Sequence, residues 1–324
     1  MQKENVLFDQ FKRKHDYLRV SLTERCNLRC KYCMPADGIP LTPAAHLPTS
    51  EELLNIISVF AEMGINKIRF TGGEPLVRKD AGFIIEESSK LVSETAITTN
   101  GILLYKYFDL FEKIELRSLN ISLDTLSPEK FQLITRRDHF HKVFDNIKTA
   151  IDRGFHVKIN VVLLKGQNDN EILDFIRWTE NTTVHVRFIE FMPFQGNEWD
   201  HSKLVSYFEI LEIVEKEFST EKLHDDPHDT TKSYRVKNAK GTFSVISSMT
   251  APFCSTCNRL RLTADGKMRN CLFSTEDADL LTPLRAGEDI RPYILNCVRD
   301  KKEGHGGLDI FEDKPNRSMI AIGG

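Results

Sequence analysis

Hydrophobic positions along this chain follow two rhythms in turn. Short extended runs, apolar at alternate places or continuously, occupy 17–22, 67–70, 95–99, 119–123, 157–163 and 185–191. Between them lie segments of helical period. The clearest covers 51–63, where Leu53, Leu54, Ile57 and Phe60 share one face. Thr49 and Glu52 form a capping-box pattern at its start, and Gly64 follows its end. Further helices are expected over 144–153, stopped by Gly154, and over 168–179.

Six strand–helix units in series predict parallel strands joined by crossover helices. A complete eight-stranded barrel takes about 250 residues, whereas here the alternation fades near residue 200. The expected fold is therefore α/β, a partial (β/α)6 TIM-type barrel, with ligands at the carboxyl ends of its strands. Beyond it come a helix over 203–218, a polar stretch over 224–233 and short β-like runs at 234–237 and 242–246. The expected division is a barrel over 1–234 and an appended C-terminal region over 235–324.

Composition narrows the function classes. With 324 residues, 40% of them hydrophobic, the chain can bury a sizeable core. A formal net charge of −3 gives no overall case for nucleic acid or an anionic membrane as partner. No apolar run reaches the length of a membrane span. Residues 1–15 lack the apolar stretch of a secretory signal, so a cytoplasmic protein is expected. Six of the seven cysteines fall in two tight groups, which in a reducing compartment points to metal or catalysis rather than disulfides.

Cys26, Cys30 and Cys33 form C-x3-C-x2-C immediately after the first strand. Thiolates are the usual ligands of Fe–S clusters, and three of them leave one iron of a four-iron cluster open to a small molecule. A structural zinc site would need a fourth ligand; His46 is a conceivable one, so zinc stays open while the spacing favours Fe–S. Cys254, Cys257 and Cys271 form C-x2-C-x13-C. Here the spacing leaves zinc and Fe–S open, because Cys297, His228 or His305 could complete a zinc site. Cys297 otherwise reads as a buried structural thiol on a helix.

The strands carry unexpected charge. Buried parallel strands usually read as continuous apolar runs, yet Arg19, Lys67, Arg69, Lys158 and Arg187 interrupt these. Their neighbours Leu18, Val20, Ile68, Val157 and Ile159 are apolar, so the cations share one face, inferred to line the barrel lumen. Internal carboxylates such as Asp124 or Glu190 could pair with them. Five converging cations, with Arg259 and Arg261 beside Cys257, argue instead for an anionic ligand such as a triphosphate.

The segment CNLRCKYC, with Tyr32 before its last cysteine, resembles the signature of the radical S-adenosylmethionine (SAM) superfamily. Gly72-Gly73-Glu74-Pro75 after the second strand resembles that superfamily's GGEP element. The resemblance implies that a [4Fe–4S] cluster on Cys26, Cys30 and Cys33 binds SAM through its open iron. An electron from the cluster would split SAM to methionine and a 5′-deoxyadenosyl radical, with Tyr32, Gly73, Ser122 and Met192 as SAM contacts. The pair of cysteine groups, and CNRLRLTADGKMRNCLF in particular, is similar to the GTP 3′,8-cyclase family over nearly the whole chain.

That second resemblance implies a further [4Fe–4S] cluster on Cys254, Cys257 and Cys271, whose open iron meets the guanine base. It implies that Arg19, Arg69, Thr98, Lys158, Arg259, Leu260 and Arg261 contact GTP, with Arg187 facing either GTP or SAM. It further implies that the Gly323–Gly324 tail reaches the active site, although by itself a double glycine at a chain end reads as frayed. Cys26, Cys30, Cys33, Arg259, Arg261, Gly323 and Gly324 are thus the expected catalytic set. The implied partners are GTP, a second copy in a homodimer, a flavodoxin- or ferredoxin-type electron donor, and the downstream cyclic pyranopterin monophosphate synthase; nucleic acid and membrane are not expected. Two rival readings are a radical SAM enzyme acting on a peptide and a non-catalytic zinc protein.

Overall fold

The computed structural model describes residues 6–304 and 317–323. Six parallel strands follow one another in sheet order: β1 (Tyr17–Ser21), β2 (Lys67–Thr71), β3 (Glu94–Thr99), β4 (Ser118–Ser122), β5 (His156–Leu163) and β6 (His185–Glu190). The helices between them are α1 (Ser50–Glu62), α2 (Ala81–Ser89), α3 (Phe108–Lys113), α4 (Pro128–Thr135), α5 (Phe140–Asp152) and α6 (Ile172–Asn181). The capping box at α1 is present in full: Glu52 N donates to Thr49 Oγ1 at 3.2 Å, and Thr49 N donates to Glu52 Oε2 at 2.8 Å. The buried face of α1 is Leu53, Ile56, Ile57, Val59 and Phe60, whereas Leu54 is only half-buried.

After α7 (Tyr207–Glu215), the chain returns to the sheet twice. First, β7 (Thr220–Lys222), β8 (Lys232–Val236) and β9 (Thr242–Ile246) add to the β6 edge, with β9 parallel to β6. Then β10 (Arg259–Leu262) pairs parallel to β1, followed by antiparallel β11 (Lys267–Arg269) and β12 (Ala278–Asp279). The appended region therefore joins the barrel through the sheet itself. Short helices α8 (Leu281–Arg285), α9 (Arg291–Arg299) and α10 (Met319–Ile322) complete it.

Side chains alternate strictly across this sheet. Leu18, Val20, Ile68, Phe70, Ile97, Leu119, Ile121, Ile159, Val186 and Phe188 are buried in one continuous apolar cluster under the helices. Burial of that face against α1–α6 fixes the register, because a one-residue slip would drive the charged set into the apolar cluster.

Candidate active site

The other face of the sheet carries the cations. Lateral pairing places Arg261, Arg19 and Arg69 side by side across β10, β1 and β2. Thr98, Asn120, Lys158 and His185 form a second row across β3 to β6, and Arg187 pairs with Asn160 one step further on. Leu260 pairs with Leu18 on the opposite face, fully buried in the apolar cluster, so only its backbone is available to a ligand in the lumen.

Neither internal carboxylate neutralises this set. Asp124 accepts from Tyr32 Oη at 2.8 Å and Val162 N at 2.9 Å. Glu190 accepts from Tyr207 N at 2.9 Å and Met249 N at 2.7 Å, tying α7 and the loop after β9 to the end of β6. Among the described residues, Lys67 is the one of Arg19, Lys67, Arg69, Lys158 and Arg187 in a salt bridge, with Glu94 at 2.6 Å, and Asp229 acts on Arg187 from further away. Arg187 donates instead to Asn160 Oδ1, at 3.0 and 2.8 Å.

Burial disfavours the charge on Arg19, Lys158 and Arg187, and Arg69 adds to the penalty at all three; Lys158 is held down to about 8. Burial raises the Tyr17 phenol, but Arg69, Arg19 and Lys67 bring it down to about 7. Arg19 Nε, Arg69 Nη1, Thr98 Oγ1 and Asn120 Oδ1 are buried with no hydrogen-bond partner among the described residues. Buried polar atoms are nearly always satisfied, so four such atoms on one lumen face mark a place shaped for a polar ligand.

The first cysteine group lies on the loop after β1, at the carboxyl end of the sheet. Arg29 N and Lys31 N donate to the carbonyls of Thr135 and Ile134, anchoring the loop to the end of α4. Leu28 N points at Cys26 Sγ at 3.4 Å, and Asn100 Nδ2 at 3.9 Å. Burial, then neighbouring acids and the thiols themselves, push Cys26 up to about 11 and Cys33 up to about 12; Cys30 is also raised.

Gly72 and Gly73 lie against the same loop. Gly73 N donates to Thr23 O at 2.7 Å, and a Cβ at Gly73 would stand 2.6 Å from Arg25 O. Glu74 is fully enclosed and accepts from Leu76 N, Thr99 Oγ1 and Asn100 N at 3.1, 2.7 and 2.7 Å. Burial raises it to about 7. Glu74 and Asn100 thus brace the cysteine loop, a role that no spacing in the sequence marks. Ser122 ends β4 and Met192 follows β6, so both lie at the same end of the sheet.

Cys254, Cys257 and Cys271 line one cavity of about 70 Å³ together with Arg259, Arg261 and Phe253. Burial raises the Cys257 thiol, but Arg259 and Lys301 bring it down to about 6, the thiolate a metal ligand must be. Among the described residues the other zinc candidates do not line this cavity, although His228 touches the loop between Cys254 and Cys257. Cys297 is buried in α9, with its Sγ toward Met268 O at 3.9 Å. His228 is exposed and bonded to Thr256 O, His46 is exposed on a 3-10 turn, and His305 lies outside the described residues.

Among the described residues, no three Cys, His, Asp or Glu side chains converge as a single ion requires. Grouped thiols with N–H donors aimed at sulfur fit a cluster, which spreads its cysteines over separate irons. Gly323 lies beside β1: Arg261 Nη1 donates to its carbonyl at 2.6 Å, and Ile320, Ala321 and Ile322 before it are buried. Gly324 lies outside the described residues.

The radical SAM superfamily matches residues 20–179, and the Molybdenum Cofactor Synthesis C family matches 184–307. Streptococcus suis SuiB shares the fold, with a TM-score of 0.60 at 14% identity over 97% of this chain and 77% of that one. Fold and site define a radical SAM enzyme, which works with a [4Fe–4S] cluster and SAM. The chain is 47% identical to the mitochondrial GTP 3′,8-cyclase of Arabidopsis thaliana, covering 99% of this chain and 84% of that protein. It is 43% identical to the GTP 3′,8-cyclase of Peptoclostridium acidaminophilum, over 100% of both. It is 46% identical to human molybdenum cofactor biosynthesis protein 1, covering 98% of this chain and 51% of that one, about half its length. The chain belongs to the GTP 3′,8-cyclase family.

Proposed function

We propose that this protein is a GTP 3′,8-cyclase, joining ribose C3′ of GTP to guanine C8 as the first step of molybdenum cofactor biosynthesis. The observation that carries this reading is the lumen: cations that outnumber the carboxylates near them, and four buried polar atoms without partners among the described residues. A triphosphate supplies the anionic oxygens such a site lacks. Cys26, Cys30 and Cys33 would hold the [4Fe–4S] cluster, with Tyr32, Gly73, Ser122 and Met192 around SAM. When bound, that pair supplies one-electron, hydrogen-abstracting chemistry.

The rest of the chain positions and encloses. Arg19, Arg69, Thr98 and Lys158 would grip the substrate in the lumen, with Arg187 beside them. Arg259 and Arg261 lie between the lumen and the second cysteine group, so they would orient the nucleotide while Cys254, Cys257 and Cys271 hold a second cluster near the base. Positioning of this kind is worth about 7–11 kcal/mol in favourable cases. The barrel over 1–234 would thus carry SAM, and the region over 235–324 the second cluster. We further propose a homodimer, a flavodoxin- or ferredoxin-type donor, delivery of product to cyclic pyranopterin monophosphate synthase, and a cytoplasmic location. Among the described residues, no helix is long and apolar enough to cross a membrane.

GTP deuterated at C3′ tests the proposal. Anaerobic turnover should place deuterium in 5′-deoxyadenosine; deoxyadenosine formed with GTP but free of label would overturn the assignment of C3′.

A further inference from the structure

Lys301 follows α9 in a run of charged residues, yet it is only 3% exposed. Its ammonium donates to Arg259 O at 2.9 Å and Cys257 O at 3.3 Å, and it reaches Cys257 Sγ at 3.5 Å. Its anionic neighbours are Cys257 and Cys271; its cationic ones are Arg13 and Arg259. Among the described residues it forms no ion pair with a carboxylate. A buried ammonium costs several kcal/mol unless an anion compensates it, and among the described residues the compensating groups are the sulfurs of Cys257 and Cys271.

The position is fixed from the N-terminal side. Asp9 Oδ2 accepts from Arg13 Nε at 2.5 Å. Arg13 Nη1 donates to Cys254 O at 2.7 Å and Glu303 O at 2.8 Å, and Nη2 donates to Lys302 O at 2.7 Å. One guanidinium therefore ties the turn carrying Lys301 to the loop carrying Cys254. Gln10 Nε2 adds a bond to Lys301 O at 3.3 Å.

We propose that Lys301 is a charge-compensating residue of the second cluster, setting its reduction potential by holding a fixed positive charge against Cys257 and Cys271. This rests on the reading that Cys254, Cys257 and Cys271 carry a [4Fe–4S] cluster. Nearby charge and hydrogen bonds to sulfur are the protein's means of tuning such a centre. A cation stabilises the form holding one more electron, so Lys301 raises the potential.

The test uses the full chain with Cys26, Cys30 and Cys33 replaced by Ala, leaving one cluster site. Iron content and a redox titration followed by EPR are compared for this parent and for Lys301→Gln and Lys301→Arg in the same background. The expected result is about four irons per chain in all three, a more negative midpoint for Lys301→Gln, and recovery toward the parent in Lys301→Arg. Loss of iron from Lys301→Gln alone supports the same role, because charge is what Lys301→Arg restores. An unchanged midpoint in Lys301→Gln, or loss of iron from both variants, overturns the inference. A parent that binds no iron overturns the second-cluster reading itself.

Discussion

Arg261 on β10 donates a 2.6 Å hydrogen bond to the carbonyl of Gly323, joining a lumen strand to the end of the chain. Gly323 has φ +85°, and a Cβ there would stand 2.7 Å from Ser21 Cβ. Left-handed backbone and close approach together require glycine. Gly323→Ala should displace the tail while leaving the barrel folded. Turnover should fall at least tenfold with little change in Tm; unchanged turnover would separate the tail from the reaction.

Arg259 and Arg261 test the substrate class. Hydrogen bonds to charged groups contribute about 1.5–3 kcal/mol each, so losing both guanidiniums should weaken GTP binding on the order of 10²-fold or more. Calorimetry on Arg259→Ala/Arg261→Ala, with circular dichroism as a control for folding, reads this directly. Unaltered GTP affinity in the folded variant would favour the peptide-modifying alternative.

Binding should take up protons. Tyr17 sits near 7 because Arg69, Arg19 and Lys67 outweigh the effect of burial; Lys158 sits near 8 through burial and its cationic neighbours. A triphosphate offsets those cations and raises both groups, so the complex binds more protons than the free chain. By linkage, affinity falls as pH rises through about 7 and again through about 8. Calorimetry in buffers of different ionisation enthalpy counts the protons, and Tyr17→Phe should remove the lower step while sparing the upper. Proton release in this window would contradict the arrangement.

Gly73→Ala probes the support of the first cysteine group. The new methyl would meet backbone atoms, Arg25 O at 2.6 Å and Glu24 O at 2.8 Å, which cannot swing aside. The cysteine loop must then move, so iron per chain after reconstitution should fall by about half, the share of one of two equal clusters. Full iron content would show that the loop tolerates the methyl.

Local chemistry explains what is legible in the sequence. The period-2 alternation of Arg19 with Leu18 and Val20, or of Lys158 with Val157 and Ile159, is enough by itself to reveal the lumen face. The Thr49–Glu52 box places the start of α1. A matching box at Ser206 and Glu209 starts α7 at Tyr207, later than the residue 203 that apolar period alone suggests. Pairing of β10 with β1 joins residues more than two hundred positions apart and leaves no trace in local period. Neither the partnering of Tyr32 with Asp124 nor the bracing by Glu74 and Asn100 has a spacing signature. Lys301, in a run of charged residues, reads as solvated until the fold buries it.

The most direct test of the central claim is 5′-deoxyadenosine formation by the anaerobically reconstituted protein with SAM and dithionite, with and without GTP. Deoxyadenosine should form only, or far faster, with GTP. An equal slow rate either way would leave GTP without support, and none at all from a protein shown to hold its iron would contradict the radical chemistry itself.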